Sequence, residues 1–477
     1  MSSEGVRMLR RAAYEKLLDW KENNRQKALL VDGPRQVGKT FLLEEFGRRE
    51  YRDLVKIDFL DDEDARRRFA SAKSADRVIE LLSLAAGHEL VPGETLVFFD
   101  EVQKAQNLVT FSKYLALDGR FDVAMSGSML GIELNEVKSW PVGYLRTIDM
   151  APLTFEEFCW ARGVPQSVLD QMREAYHEKT PLDDALHEVL VDLFRQYLVI
   201  GGMPEAVQRS LDARNDLGAV RQVQTDLLAL YREDIAKYAG GRRLQVKAIY
   251  DAIPSQLAKE NKRFQLKTLR AGARFDRFAN DFAWLVAARS ALKTLNVREP
   301  KRMLARTEEQ ERFKLYLSDV GMLLASYPAE VAMEALSGGR AVNFGAVYEN
   351  VVAQELTAVR SPLRYYHNSR KGEVDFLVET RGGKVLPVEV KSGKDYKLHT
   401  ALNNLLGTEA YGIEEAVVLS EANVSQGWRA GKPVHYLPLY MAGYIAAEAS
   451  TPATEADALD GFRLDPIDFS SLLENAQ

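Results

Sequence analysis

The run Gly33-Pro34-Arg35-Gln36-Val37-Gly38-Lys39-Thr40 matches the pattern G-x-x-x-x-G-K-[ST] in full. Each fixed residue type has a chemical reason. The glycines let the backbone curl until its N–H groups face phosphate oxygens. Lys39 carries a point charge to the β- and γ-phosphates, and Thr40 offers a hydroxyl to Mg²⁺. Pro34, Arg35, Gln36 and Val37 supply the backbone of the cradle. The expected ligand is ATP with Mg²⁺, or a close nucleotide relative. About sixty residues later the apolar run Leu96–Phe99 ends in Asp100-Glu101. Asp100 is placed to hold Mg²⁺ through water and Glu101 to polarise the attacking water, which favours hydrolysis over binding alone. Ser126 and Ser128 close a further apolar run. Either could sense the γ-phosphate, and an ordinary turn or helix cap would account for them equally well.

A second constellation lies near the C-terminus. Glu349 sits in the helical pattern FGAVYENVVAQEL, Asp375 in GEVDFLVE, and Glu389 and Lys391 in VLPVEVKSG. Residues 389 and 391 alternate on a strand and face one side. Asp…Glu-x-Lys is the set that a metal-dependent phosphodiesterase needs. Asp375 and Glu389 would bind Mg²⁺ or Mn²⁺, Lys391 would position or activate a water, and Glu349 would complete the metal site. Three readings stay open: an active nuclease, a retained fold that binds nucleic acid without cutting it, and a salt-bridged strand face.

Elements must hold these residues in place. Residues 5–25 read as an amphipathic helix, Ala28–Asp32 as a buried strand and Lys39–Glu50 as a helix. Leu54–Phe59, Thr95–Asp100 and Phe121–Met125 read as further strands. Strands alternating with helices predict an α/β domain on a parallel sheet over residues 1–155, with the helix after the loop aiming its N-terminus at the phosphates. Residues 156–340 read as almost entirely helical. Within them, Gly240–Arg306 holds 16 Lys and Arg against 5 Asp and Glu in a chain of net charge −6. That stretch suits DNA phosphates, and solvated helix faces would produce it too. Residues 245–275 are candidates for a helix-turn-helix with Arg263, Lys267 and Arg270 on one side. Residues 341–445 read as a second α/β unit. It has a helix over Phe344–Arg360, strands at Leu363–His367, Val374–Glu379 and Val385–Val390, a helix near 398–406 and a strand at Ala416–Leu419. Residues 446–477 form an acidic tail.

The bulk numbers agree with such an assembly. With 477 residues, 46% hydrophobic and 28% charged, there is material for about three domains. The one cysteine, Cys159, excludes a disulfide framework and points to a reducing compartment. No signal peptide or membrane-spanning run is visible, so a cytoplasmic protein is expected. The six histidines, His367 beside the candidate nuclease strands included, show no metal-ligand spacing.

GPRQVGKT, VFFDEVQ, SGSMLG, PVGYLRTIDMAPLTFEEF, YLVIGGMPEAV, QLAKENKRF, FKLYLSDVGML and YLPLYM occur in one order. Together they resemble the prokaryotic AAA-type ATPases (AAA_14) that carry a C-terminal DUF4143 domain. The resemblance implies a P-loop ATPase domain, a helical middle with a winged-helix-like part, and a restriction-endonuclease-like C-terminal domain with a PD-(D/E)XK core. One departure is visible: relatives often carry a basic residue after PVG, where this chain has Tyr144, and Arg146 is a candidate substitute. Arg274 is a candidate arginine finger. Two function classes follow. In the first, ATP hydrolysis is coupled to DNA binding or processing by the nuclease-like domain. In the second, the chain is a nucleotide-gated switch whose inactive nuclease-like domain binds a protein partner. An oligomer is compatible with either.

Overall fold

The computed structural model describes residues 8–128, 141, 143–339, 343–393, 397 and 400–449. Most of the acidic tail, part of SGSMLG, Val142 and His399 lie outside the described residues. β1 (Ala28–Asp32), β2 (Asp53–Asp58), β3 (Thr95–Asp100), β4 (Asp122–Gly127) and β5 (Leu145–Asp149) form one sheet in the order β2-β3-β4-β1-β5. Every pairing in it is parallel. β3 and β4 are buried at each residue, as continuous apolar runs require when helices cover both faces. One face packs Leu29, Val31 and Phe98 on Leu17, Trp20 and Phe46; the other packs Leu30, Val55 and Phe99 on Phe59 and Phe69. The helix expected over 5–25 is Ala12–Asn23, and β2 and β4 each lie one residue from their expected starts.

The register fixes where chemistry can occur. Val31 pairs with Ser126, Asp32 with Asp149, and Asp58 with Asp100. The P-loop, the acid pair and the serine pair therefore share the rim beyond the carboxyl ends of the strands, the usual ligand side of a parallel α/β sheet.

The middle region opens with the helices Phe155–Ala161, Gln166–Glu178, Asp184–Ile200, Pro204–Asp212, Leu217–Tyr238 and Arg243–Leu257. The helical expectation over 245–275 fails after Leu257, where only short 3-10 turns precede the helix Ala279–Ala287. Lys259, Arg263, Lys267 and Arg270 stand three or four residues apart, so a continuous helix would stack like charges. Residues 156–340 also contain two long strands. β6 (Ala291–Val297) and β7 (Glu308–Leu317) pair antiparallel. β6 pairs on its other side, parallel, with β8 (Arg364–Asn368), which carries β9 (Gly372–Val374). This sheet of order β7-β6-β8-β9 spans the boundary expected at 340–341.

The rest of the C-terminal unit is a mixed sheet. β10 (Phe376–Glu379), β11 (Val385–Val390), β12 (Ala416–Ser420), β13 (Ser425–Arg429) and β14 (Lys432–Pro438) take the order β10-β11-β12-β14-β13. The strand expected over 374–379 divides at Asp375, between β9 and β10. The helix Gly345–Thr357 is buried from Gly345 to Leu356 and packs between both sheets and the middle region.

The regions meet at a polar hub. A side chain at Gly202 would collide with Leu153, whose N–H donates to the Gly202 carbonyl at 2.6 Å. Asp319 accepts the Gly202 N–H at 2.6 Å and the Met322 N–H at 2.9 Å, capping the helix Val320–Ala325. Glu355 accepts the Phe155 N–H at 2.8 Å and the Tyr197 hydroxyl at 3.2 Å. No helix among the described residues is long and apolar enough to cross a membrane.

Candidate functional site

The first site forms where β1 runs into the helix Lys39–Glu50. A side chain at Gly33 would strike the Met150 carbonyl oxygen, so the loop can pass the end of β5 only as glycine. Gly38, at φ 87°, turns the chain into the helix. Lys39 is buried, and its Nζ donates to the Gly33 carbonyl at 3.0 Å and the Pro34 carbonyl at 2.8 Å. Burial pulls the Lys39 ammonium down to about 8, against the opposing pull of Glu101, Asp32 and Asp100.

Asp100 is the centre of the polar network. Its Oδ1 accepts the Thr40 hydroxyl at 3.0 Å and the Ser126 hydroxyl in a shorter contact. Burial raises the Asp100 carboxyl, while Ser126, Lys56 and Thr40 favour its ionised form. Glu101 adopts the left-handed backbone conformation at φ 53°, a strain of about 1–3 kcal/mol for a non-glycine residue. Its Oε2 accepts the Ser128 hydroxyl at 3.0 Å and a hydrogen bond from Gln103 Nε2. Lys39, Thr40, Asp100, Glu101, Ser126 and Ser128 are thus brought together. The hydroxyl of Thr40 and the carboxylate of Asp100 converge as a pair of hard oxygen donors, which suits Mg²⁺.

Residues that no motif marks also bear on this site. Lys56 Nζ lies 3.3 Å from Asp100 Oδ2, 2.9 Å from Glu44 and 3.3 Å from Asp58. Arg11 is buried against the back of the loop; it pairs with Glu157 at 3.1 Å and donates to the Val37 carbonyl at 2.9 Å. The helix Leu217–Tyr238 reaches the loop from the other side. Its Tyr231 hydroxyl donates to the Arg35 carbonyl at 3.0 Å, and its Asp234 pairs with the Arg35 guanidinium at 2.5 Å. Arg289, just before β6, pairs with Asp32 and Asp149 at 2.6 Å each. It borders a cavity of about 380 Å³ lined also by Lys293, Gln354 and Thr357. No motif or spacing in the sequence marks these contacts.

Arg146 lies three residues before the rim on β5 and points to Asp19 at 3.8 Å, away from the loop. Arg274 is exposed at the start of the turn Phe275–Arg277. Cys159 is buried, and burial pushes its thiol far above the ordinary range, so it packs as a small apolar group.

The second candidate site gathers Glu349, Asp375, Glu389 and Lys391, together with charged groups from outside the motif. Glu349 Oε2 accepts Lys314 Nζ at 3.0 Å and the Tyr316 hydroxyl at 2.7 Å, and Oε1 pairs with Lys262. Lys314 Nζ also lies 2.7 Å from Glu373 and 3.5 Å from Asp375. Asp375 Oδ2 accepts the Val390 N–H at 2.9 Å, and Lys391 pairs with Glu389 at 2.7 Å. Burial opposes ionisation of Glu349, yet the Lys314 and Lys262 ammonium groups hold it down to about 2. Asp375 is pushed well up by burial and by the facing Glu349 and Glu389. Among the described residues no group of three or more His, Cys, Asp and Glu is arranged to hold a metal ion.

With this geometry in place, the comparisons with known proteins divide the chain into three matched parts. Residues 25–159 match the AAA domain family AAA_14, residues 191–330 the domain of unknown function DUF8612, and residues 344–440 the domain of unknown function DUF4143. The chain therefore carries an AAA-type ATPase domain and a C-terminal DUF4143 domain. Among solved structures it is similar to the Walker-type ATPase PABY2304 of Pyrococcus abyssi, at 15% identity and a TM-score of 0.40, covering 67% of this chain and 96% of that one. It is also similar to the Aeropyrum pernix ORC1 protein in complex with DNA, at 13% identity and a TM-score of 0.28, covering 70% of this chain and 93% of that one. No curated protein matches the chain.

Proposed function

We propose that this chain, with its AAA domain followed by DUF8612 and DUF4143, hydrolyses ATP and uses the nucleotide state to govern DNA engagement by its basic middle region. The observation that carries the reading is the convergence of Lys39, Thr40, Asp100 and Glu101, with Ser126 and Ser128, on one rim of the parallel sheet. Lys39 would contact the β- and γ-phosphates, leaving its carbonyl partners. Thr40 and Asp100 would hold Mg²⁺, which when bound neutralises charge on the phosphate oxygens. Glu101 accepts a proton from the attacking water, and Ser128 and Gln103 orient its carboxylate for that role. Ser126 ties the position of Asp100 to that of the Glu101 backbone, since its hydroxyl donates to one and accepts from the other.

The helices Arg243–Leu257 and Ala279–Ala287 with the β6–β7 hairpin follow a winged-helix order. Arg243, Lys247, Lys267, Arg270 and Arg274 are exposed on this part, where they can neutralise phosphates without reading sequence. Arg289 connects it to the P-loop strand. ATPase turnover measured with and without duplex DNA tests the reading. Turnover that depends on Glu101 and rises with DNA supports it; absence of both DNA binding and DNA stimulation sinks it.

A second reading is favoured by the paired lysines of the C-terminal cluster. In it the DUF4143 unit is an inactive nuclease-like fold that binds a protein partner in one nucleotide state. A partner retained only with ATP, together with no salt-sensitive DNA binding, would select that reading over the first.

A further inference from the structure

The C-terminal cluster has the carboxylates of a metal-dependent nuclease but a different cation. Lys314 lies on β7, outside the Asp…Glu-x-Lys pattern, and is fully buried. An ammonium group has three N–H donors and no acceptor. Those of Lys314 face three carboxylates: Glu373 at 2.7 Å, Glu349 at 3.0 Å and Asp375 at 3.5 Å. The other acceptors are engaged as well. Glu349 takes Lys262 and Tyr316, Asp375 takes the Val390 N–H, and Glu389 takes Lys391. Glu389 Oε2 is the one buried oxygen of the cluster without a hydrogen-bond partner. A Mg²⁺ site takes about six oxygens at about 2.0–2.1 Å, several of them waters, and needs one or two carboxylates free to close on the ion. Here Glu349, Asp375 and Glu389 each already face an ammonium group, and only one of their buried oxygens, Glu389 Oε2, is unpaired. By charge, four carboxylates already face three lysines before any metal is added.

The elements involved show what the cluster holds together. Lys314 and Tyr316 come from the hairpin of the middle region, and Lys262 from the loop after the helix Arg243–Leu257. Glu349, Glu373, Asp375 and Glu389 come from the C-terminal unit. Glu349, Glu373 and Asp375 thus meet cations of the middle region, while Glu389 pairs with Lys391 inside the C-terminal unit.

We propose that the Lys314 ammonium is the resident cation of this cluster, and that the site takes no divalent metal and cuts no phosphodiester bond by a metal route. The proposal rests on reading the C-terminal unit as nuclease-like, and it is independent of the ATPase reading.

Mn²⁺ bound to the full chain without nucleotide, counted by electron paramagnetic resonance, tests it. Wild type and Asp375→Asn are expected to bind the same number of ions. An ion lost on Asp100→Asn but kept on Asp375→Asn belongs to the P-loop and supports the proposal. Lys314→Gln is expected to gain one ion, lost again in the Lys314→Gln/Asp375→Asn double variant. If Lys314→Gln does not fold, the comparison of wild type with Asp375→Asn decides alone. An ion bound by wild type and lost on Asp375→Asn or Glu389→Gln overturns the proposal. So does Mn²⁺-dependent plasmid nicking that Glu389→Gln abolishes. Neither result touches ATP turnover, so failure here is distinct from failure of the ATPase reading.

Discussion

Arg289 Nη2 donates to Asp32 Oδ2 at 2.6 Å, so a residue at the entrance to the β6–β7 hairpin holds the last residue before the P-loop. The other oxygen of Asp32 accepts the Gly33 N–H at 2.8 Å, which places Arg289 one side chain from the phosphate cradle. Arg289→Ala is expected to leave basal ATP turnover within about two-fold and to cost about 2 kcal/mol of stability, the scale of a lost charge-assisted hydrogen bond. It is also expected to abolish the DNA response. Turnover with and without DNA, alongside urea unfolding, checks this. An Arg289→Ala protein still stimulated by DNA like wild type would show that the coupling runs elsewhere.

The two halves of the nucleotide site are expected to separate under mutation. Lys39→Ala should abolish nucleotide binding, because Lys39 Nζ, held at the Gly33 and Pro34 carbonyls, is the charge that the loop offers to the β- and γ-phosphates. Glu101→Gln should keep binding and lower turnover by about 10²–10⁴-fold, the range for a lost general base. Ser128→Ala should give a smaller loss, since Gln103 still holds Glu101. Fluorescent-nucleotide titration and single-turnover hydrolysis check these. Wild-type hydrolysis by Glu101→Gln would reassign the water-activating role.

The polar hub predicts a pH dependence of stability. Burial lifts Glu355 to about 7 and Asp319 to about 6, from ordinary values of 4.5 and 3.8. Between the ordinary and lifted values the native state binds more protons than the unfolded state, so stability falls as pH rises through that window. The full effect is present below about pH 4 and is lost above about pH 7; for Glu355 it amounts to ~3 kcal/mol. Glu355→Gln should therefore flatten the fall between pH 5 and pH 7. Denaturant midpoints across that range check it, and an unchanged slope in Glu355→Gln would locate the titration elsewhere.

DNA binding should be governed by phosphate neutralisation. Replacing both Lys267 and Arg270 with Ala should weaken binding to all duplex sequences alike and reduce the log–log salt slope by about 2, near 0.9 per lost contact. Titrations at several salt concentrations, with ATP present, provide the measurement. An unaltered slope would remove these two residues from the interface.

The ATPase half was largely legible in the sequence because its signals are local. β1, β3 and the helix Lys39–Glu50 follow from continuous apolar runs and the glycine loop, and the rim residues follow from them. The hairpin β6–β7 was hidden for the opposite reason. β6 takes its second neighbour, β8, from a remote part of the chain, so no window of sequence contains the pairing that buries it. Arg11, Lys56 and Arg289 were hidden likewise, since a cation in sequence looks the same whether it meets water or a buried carboxylate. In FKLYL, Lys314 alternates with apolar neighbours as a solvent-facing residue would, yet the far side of its strand is covered by the C-terminal unit.

The sheet β7-β6-β8-β9 carries a consequence for synthesis of the protein. β6 leaves the ribosome about seventy residues before its parallel partner β8, an interval of roughly 4–14 s at ordinary translation rates. Once β7 has followed, the hairpin presents an open edge until β8 arrives, and Lys314 waits longer still for Glu373. The ATPase sheet can close on its own nascent chain, whereas the hairpin must await the emergence of the C-terminal unit.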